Sequence, residues 1–144
     1  MAMTMDSAAL YRLMAWLSPA YPVGAFSYSH GIEWLVESGA IRDAATLGQW
    51  VADIVTFGSG RNDAILVAES WRADGDLAKL SLLAEQASAL CTSAERALET
   101  EAQGQAFCDV TCRTWGSATL DKLANVYPHP VCYPVAVGLA AADH

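Results

Sequence analysis

Four cysteines, three histidines and a pair of glutamates are the residues of this sequence best equipped for chemistry. Cys108 and Cys112 stand four positions apart, so on a helix both thiols fall on one side and could share a metal, with His30, His129, His144 or a carboxylate completing the set. Two small thiols on a packed helix seam have the same spacing. Cys132 follows His129 by three residues, which would bring a thiol and an imidazole onto one turn, but Pro130 between them disrupts a regular turn. Glu33 and Glu37, also one turn apart, could be paired acids or a solvated face. No C-x-x-C spacing links Cys91, Cys108, Cys112 and Cys132, and with no secretion signal in view they read as reduced thiols. A phosphate-cradling G-x-x-x-x-G-K-[ST] loop is missing from the sequence. Gly58-Ser59-Gly60-Arg61 lacks both its lysine and a preceding strand, and reads as a helix break.

A different kind of chemistry is concentrated between Leu17 and Gly31. This one connection holds two prolines, two glycines, three aromatics and three serines. Pro19 ends the helix before it, and Pro22 keeps the chain extended beyond. Gly24 permits a turn or a close backbone approach. A rigid entry, a flexible corner and Tyr21, Phe26 and Tyr28 next to hydroxyls describe a fixed loop that presents a surface, or one whose rings cover core.

The elements around it carry helical periodicity. Leu10, Leu13, Met14 and Leu17 predict an amphipathic helix from about Ser7 to Ser18, capped by Asp6 or Ser7. Ile32, Leu35 and Val36 predict a short helix stopped by Gly39. Leu47, Trp50, Val51, Ile54 and Val55 form the cleanest apolar stripe, from about Asp43, and Ala64, Val67, Ala68 and Trp71 resume it after the glycines. Asp74-Gly75-Asp76 is a turn, and Leu80, Leu83, Ala84, Ala87 and Leu90 mark the next helix. Thr92-Ser93-Ala94-Glu95 matches a capping box for a helix running to about Trp115, with Gly104 inside it where another backbone comes close. Asp121 to Leu123 predicts a short turn or helix. After Tyr127-Pro128-His129-Pro130 the stretch from Val131 to Ala142 is almost wholly apolar, with Pro134 tolerable in a first turn. Such a helix must be surrounded on all sides, and the expectation is that helices beyond His144 help to cover it. No alternating β pattern and no internal repeat interrupts this series. The fold class is therefore all-α, a single-domain bundle of about six to eight helices.

Composition narrows the possible roles. Of 144 residues, 53% are hydrophobic and only 17% charged, below the usual quarter, so a partner or a second copy of the chain is expected to cover part of the surface. Net charge is −8, and the eight basic residues are scattered from Arg12 to Lys122, which argues against a nucleic-acid partner. No apolar run approaches the length of a membrane span, and Met1 to Asp6 carries no basic segment followed by an apolar one. A cytoplasmic location is the expectation.

Ser18-Pro19-Ala20-Tyr21-Pro22-Val23-Gly24-Ala25-Phe26-Ser27-Tyr28-Ser29-His30-Gly31-Ile32-Glu33 closely resembles the N-terminal signature of the UreF family of urease accessory proteins. The stretches from Ala94 to Phe107 and from Pro130 to Gly138 agree with that family in position and character. The resemblance implies an all-α, non-enzymatic protein that needs no cofactor of its own. It implies assembly with UreD (also called UreH), the GTPase UreG and apo-urease, coupling GTP hydrolysis to nickel insertion, and a chain that continues for several helices past His144. The expected partner-docking residues are Pro19, Tyr21, Pro22, Gly24, Phe26, Ser27, Tyr28, Ser29, Gly31 and Glu33, and a homodimer is expected. The competing reading is a small helical metal-binding or thiol-dependent enzyme using Cys108, Cys112, Cys132 and a histidine.

Overall fold

The computed structural model describes residues 6–25, 28 and 31–144, and every regular element among them is a helix. In chain order these are α1 (Ser7–Trp16), α2 (Ile32–Glu37), α3 (Ala44–Phe57), α4 (Ser59–Arg72), α5 (Leu77–Ala89), α6 (Ala94–Thr114), α7 (Ala118–Val126) and α8 (Tyr133–Asp143). Side chains close the helix starts: Asp6 accepts from Ala8 N, Asp43 and Thr46 form a reciprocal capping box, Asp76 accepts from Lys79 N, and Ser117 accepts from Leu120 N. At α6 the cap is Ser93, which accepts from Arg96 N, one residue later than the expected box at Thr92.

The bundle is built around α8. From Pro134 to Ala140 every residue of this helix is buried, against α4 and α6 on its broad faces and α7, α1 and α5 at its margins. The all-round cover that its sequence demands is supplied for these residues from within the chain. Two glycines make the packing possible. At Gly104 of α6, an added Cβ would collide with the Val131 carbonyl oxygen and come within 2.8 Å of Tyr133 N. At Gly138 of α8, one would come within 2.5 Å of the Val67 carbonyl oxygen and 2.8 Å of Ser70 Cβ on α4. Backbone thus touches backbone on both sides of the central helix.

Asp143 ties the far end of α8 to the start of α7. Its carboxylate accepts from Ser117 Oγ, from Thr119 N at 3.0 Å and from Thr119 Oγ1 at 2.7 Å. Partial burial alone would raise its pKa, but these hydrogen bonds and the neighbouring His144 outweigh that and hold it below the ordinary 3.8. Where the sequence suggested a short turn or helix over Asp121 to Leu123, α7 is a capped helix of nine residues.

The helix faces differ from their sequence patterns in three places. On α1 the buried residue is Trp16, 1% exposed, while Leu10, Met14 and Leu17 of the expected stripe face outward. On α4 the core takes Leu66 and Ser70, and Trp71 lies half out. On α3 the cleanest stripe of all buries no residue. The reason is common to all three: α1 and α3 lie at the edge, and the side that meets the core is chosen by the large rings and the close α4–α8 contact, not by the most hydrophobic arc.

Two expectations follow. Gly104→Ala and Gly138→Ala should each destabilise by about 2–3 kcal/mol in urea unfolding, because backbone must move to admit one methyl. Gly48→Ala, in α3 with open space around it, should stabilise by about 0.5–1 kcal/mol; equal effects at all three would refute the backbone-contact account. Because the folded-state pKa of Asp143 is depressed, its contribution is fully present above the unfolded-state value of 3.8 and is lost as pH falls through the lower folded value. The stability gap between the wild type and Asp143→Asn should therefore be about 1–2 kcal/mol at pH 6 and shrink below pH 4.

Candidate functional site

The proline-rich loop enters the core through Tyr21 and Val23. Tyr21 packs on Phe107 with ring centroids 5.6 Å apart, and its hydroxyl shares a 2.9 Å hydrogen bond with Thr111 Oγ1 of α6. Phe107, fully buried, is also the edge or face partner of Trp16 at 6.0 Å and of Tyr133 at 5.7 Å. Trp16 in turn meets Trp115 at 6.1 Å. One aromatic cluster therefore fastens α1, the loop, α6 and the first turn of α8 together. Backbone bonds tighten the loop further: Tyr21 N donates to Ser18 O at 2.9 Å and Val23 N to Tyr21 O at 2.8 Å, with Val23 buried beneath.

Seen from outside, the same segment splits into anchors and presented residues. Tyr21 is half-buried and Val23 buried, whereas Pro19, Pro22, Gly31 and Glu33 are exposed. Gly24 (φ +76°) and Gly31 (φ +81°) hold the left-handed conformation that turns the chain, and Gly31 leads directly into α2. Tyr28 is half-buried. Phe26, Ser27, Ser29 and His30 lie outside the described residues. Glu33 and Glu37 both face solvent.

Large apolar side chains stand exposed on three helices. Trp34 of α2 is 68% exposed, Tyr11 and Met14 of α1 stand out, and α3 offers Leu47, Val51 and Val55 before ending in Phe57 at 83% exposure. The charge-poor composition is thus expressed mainly on α1, α2 and α3, where apolar side chains face water.

The thiols are divided between two places. Cys108 and Cys112 line a cleft of about 440 Å³ beside Asp121 and His129, while Cys132 lines a separate cavity of about 240 Å³ with Cys91. Among the described residues no three His, Cys, Asp or Glu side chains converge as a metal site. The cysteine set of the competing enzyme reading is not brought together, nor is His129 placed in the Cys132 cavity. Burial, with Cys112 and Asp109 adding, pushes the Cys108 thiol up to about 12. Burial and Asp121 push Cys112 up to about 11, and burial with Cys91 and Glu101 pushes Cys132 up to about 12. Thiols this reluctant to ionise are poor nucleophiles at neutral pH.

Sequence reasoning missed Phe107 and Thr111 as the partners of the loop. The available signal was spacing: Phe107 and Thr111 are one turn apart on α6, so a ring and a hydroxyl share one face. If Tyr21 is an anchor, Tyr21→Phe should cost about 1 kcal/mol, because Thr111 is left buried without that partner. Tyr21→Ala should cost about 3 kcal/mol. An unchanged urea midpoint in both would place the tyrosine on the free surface instead.

The UreF family model matches residues 41–144. A urease accessory protein UreF from a Methylobacterium species is 51% identical over 134 residues, which cover 92% of this chain and 54% of the relative. The UreF of Bradyrhizobium diazoefficiens is 50% identical over 141 residues, covering 96% and 58%, and one from Rhodopseudomonas palustris is 49% identical over 141 residues, covering 96% and 60%. The chain therefore spans a little over half the length of these curated relatives. No solved structure matches it.

Proposed function

The chain belongs to the UreF family, and from that premise we propose that it acts in urease maturation as a non-catalytic scaffold. In this reading it bridges a UreD/UreH-type protein and the GTPase UreG on apo-urease, and it couples GTP hydrolysis to nickel insertion into the urease active site. The relatives are named accessory proteins of urease. The observation that carries the scaffold role is the exposed apolar surface on α1, α2 and α3: Trp34, Phe57, Tyr11 and Met14 stand in water on a chain of low charge. Residues of this kind contribute most of the affinity of protein interfaces when a partner desolvates them.

The loop has two roles in the proposal. Tyr21, with Val23 and Gly24, sets its shape, and Pro19, Pro22, Gly31 and Glu33 are presented to the partner together with Phe26, Ser27, Tyr28 and Ser29. Aromatic and proline side chains lose little conformational freedom on binding, which favours a preformed loop over a flexible one. The exposed helix faces also suit a second copy of the chain as a homodimer. No described helix is long and apolar enough to cross a membrane, and the proposed site of action is the cytoplasm.

The decisive experiment is genetic and analytical. Deleting the full-length gene should leave urease polypeptide at normal abundance but with its nickel content and activity reduced at least about 10-fold, as expected if a matured metal centre is what is lost. A gene carrying Glu33→Lys or Trp34→Ala should fail to restore activity while the variant's thermal midpoint stays unchanged. Normal nickel loading in the deletion strain would remove the chain from urease maturation. Full restoration by both variants would remove the loop and α2 from docking.

A further inference from the structure

The α1 helix rests on α8 and does not pack closely on α4, which leaves a groove of about 360 Å³ between α1 and α4 that the end of α8 closes from below. Its walls are apolar: Leu13 and Trp16 come from α1, and Val67, Ala68 and Trp71 from α4. Two donors interrupt them. Arg12 lines the groove, and Trp16 holds its indole Nε1–H buried without a hydrogen-bond partner among the described residues. We propose that this groove binds a small amphipathic carboxylate, with its apolar body between α1 and α4 and its charged end on Arg12 and the Trp16 N–H.

The sequence of α1 brings the two donors together. Arg12 and Trp16 stand one turn apart, and with Leu13 they belong to the single face of the helix that meets the groove. A guanidinium carries five N–H donors; at Arg12, Nη1 donates to His144 O at 2.9 Å, and no Asp or Glu pairs with the side chain among the described residues. On a chain of net charge −8, a cation without a side-chain carboxylate beside an apolar wall favours an anion with an apolar tail. The buried indole donor adds to the preference, because an acceptor that reaches it removes the cost of leaving it unpaired.

Other ligand classes satisfy only part of this wall. A bare inorganic anion would leave the apolar side chains in water, and a neutral hydrocarbon would leave both donors unused. The volume lies near the lower end of small-molecule sites, roughly 300–1,000 Å³, and suits a body of about ten heavy atoms. The groove shares no residue with the docking surface proposed above, so it stands or falls separately from the urease reading.

The probe is decanoate, titrated calorimetrically into the purified chain below its micellar range. One molecule per chain should bind with a Kd on the order of 0.1 mM, and the indole N–H resonance of Trp16, identified by its loss in Trp16→Phe, should shift during the titration. Ala68→Phe, which puts a ring into the groove from the α4 wall, should abolish binding while keeping the wild-type thermal midpoint. Arg12→Gln should weaken binding about 10-fold. Arg12→Lys, which keeps the charge, should recover most of that loss, separating the charge of the side chain from its packing in α1. Absence of saturable binding, several decanoates per chain, an unmoved Trp16 resonance, undiminished uptake by Ala68→Phe, or equal affinity in the wild type and Arg12→Gln would each overturn the proposal.

Discussion

A helix that is apolar on every side can exist in water only if other parts of the chain enclose it, and α8 imposes that condition on everything else. Seven successive residues, Pro134 to Ala140, are removed from solvent. Enclosure at this density leaves no room for ordinary side chains at the tightest crossings, so α6 contributes Gly104 and α8 contributes Gly138 at the points where backbones meet. The helix-propensity cost of a mid-helix glycine, about 1 kcal/mol, is accepted because the alternative is to push α6 or α4 away from the core along its whole length.

Once α8 is enclosed, its ends determine how the rest is attached. At its start, Tyr133 extends the core into the aromatic cluster of Phe107, Trp16 and Tyr21, and through that cluster the N-terminal helix and the loop are held. At its end, Asp143 caps α7 from a distance in sequence, fixing the corner through Ser117 and Thr119. A second polar tie lies between α4 and α6, where Arg96 pairs with Asp63 at 2.9 Å and with Glu99 of its own helix at 2.9 Å, while Gln103 donates to Glu99 at 3.0 Å. Burial lowers the Arg96 pKa, but its acidic partners more than offset this and keep it raised, so the guanidinium stays charged in a half-buried setting.

Local rules made much of this legible in the sequence. The helix start at Asp43, the turn at Asp74-Gly75-Asp76, the break at Gly58, the close approach at Gly104 and the apolar α8 all follow from caps, breakers and periodicity, because each is signalled within a few residues. The buried arcs of α1, α3 and α4 do not, because periodicity reports which arc is apolar and not which arc finds a partner. Leu10 and Met14 satisfy the helical period as well as Leu13 does, yet Trp16 wins the core because its ring fills the space beside Phe107 and Trp115. The stretch after Pro19 was legible as a loop, but the division of its described residues into buried and exposed was not. Nothing local distinguishes Tyr21, whose hydroxyl finds Thr111 ninety positions away, from the exposed prolines on either side of it.

That division also bears on how such a loop can serve a partner. A loop held only by its own turns would have to be ordered at the moment of binding, at about 1–2 kcal/mol for each residue fixed. In the proposed docking role, Tyr21 and Val23 do part of that ordering in advance for the described residues beside them, Pro19 and Pro22, which lowers the cost of meeting a partner. The same cluster that orders the loop also holds α1, whose outer arc of Tyr11 and Met14 remains in water. A change at Phe107 would therefore disturb the proposed docking surface without touching it, whereas a change at Trp34 or Glu33 would alter the surface and leave the core intact. Separating those two effects, by comparing folded stability with binding for each class of variant, distinguishes a scaffold that presents a surface from a bundle that merely leaves one bare.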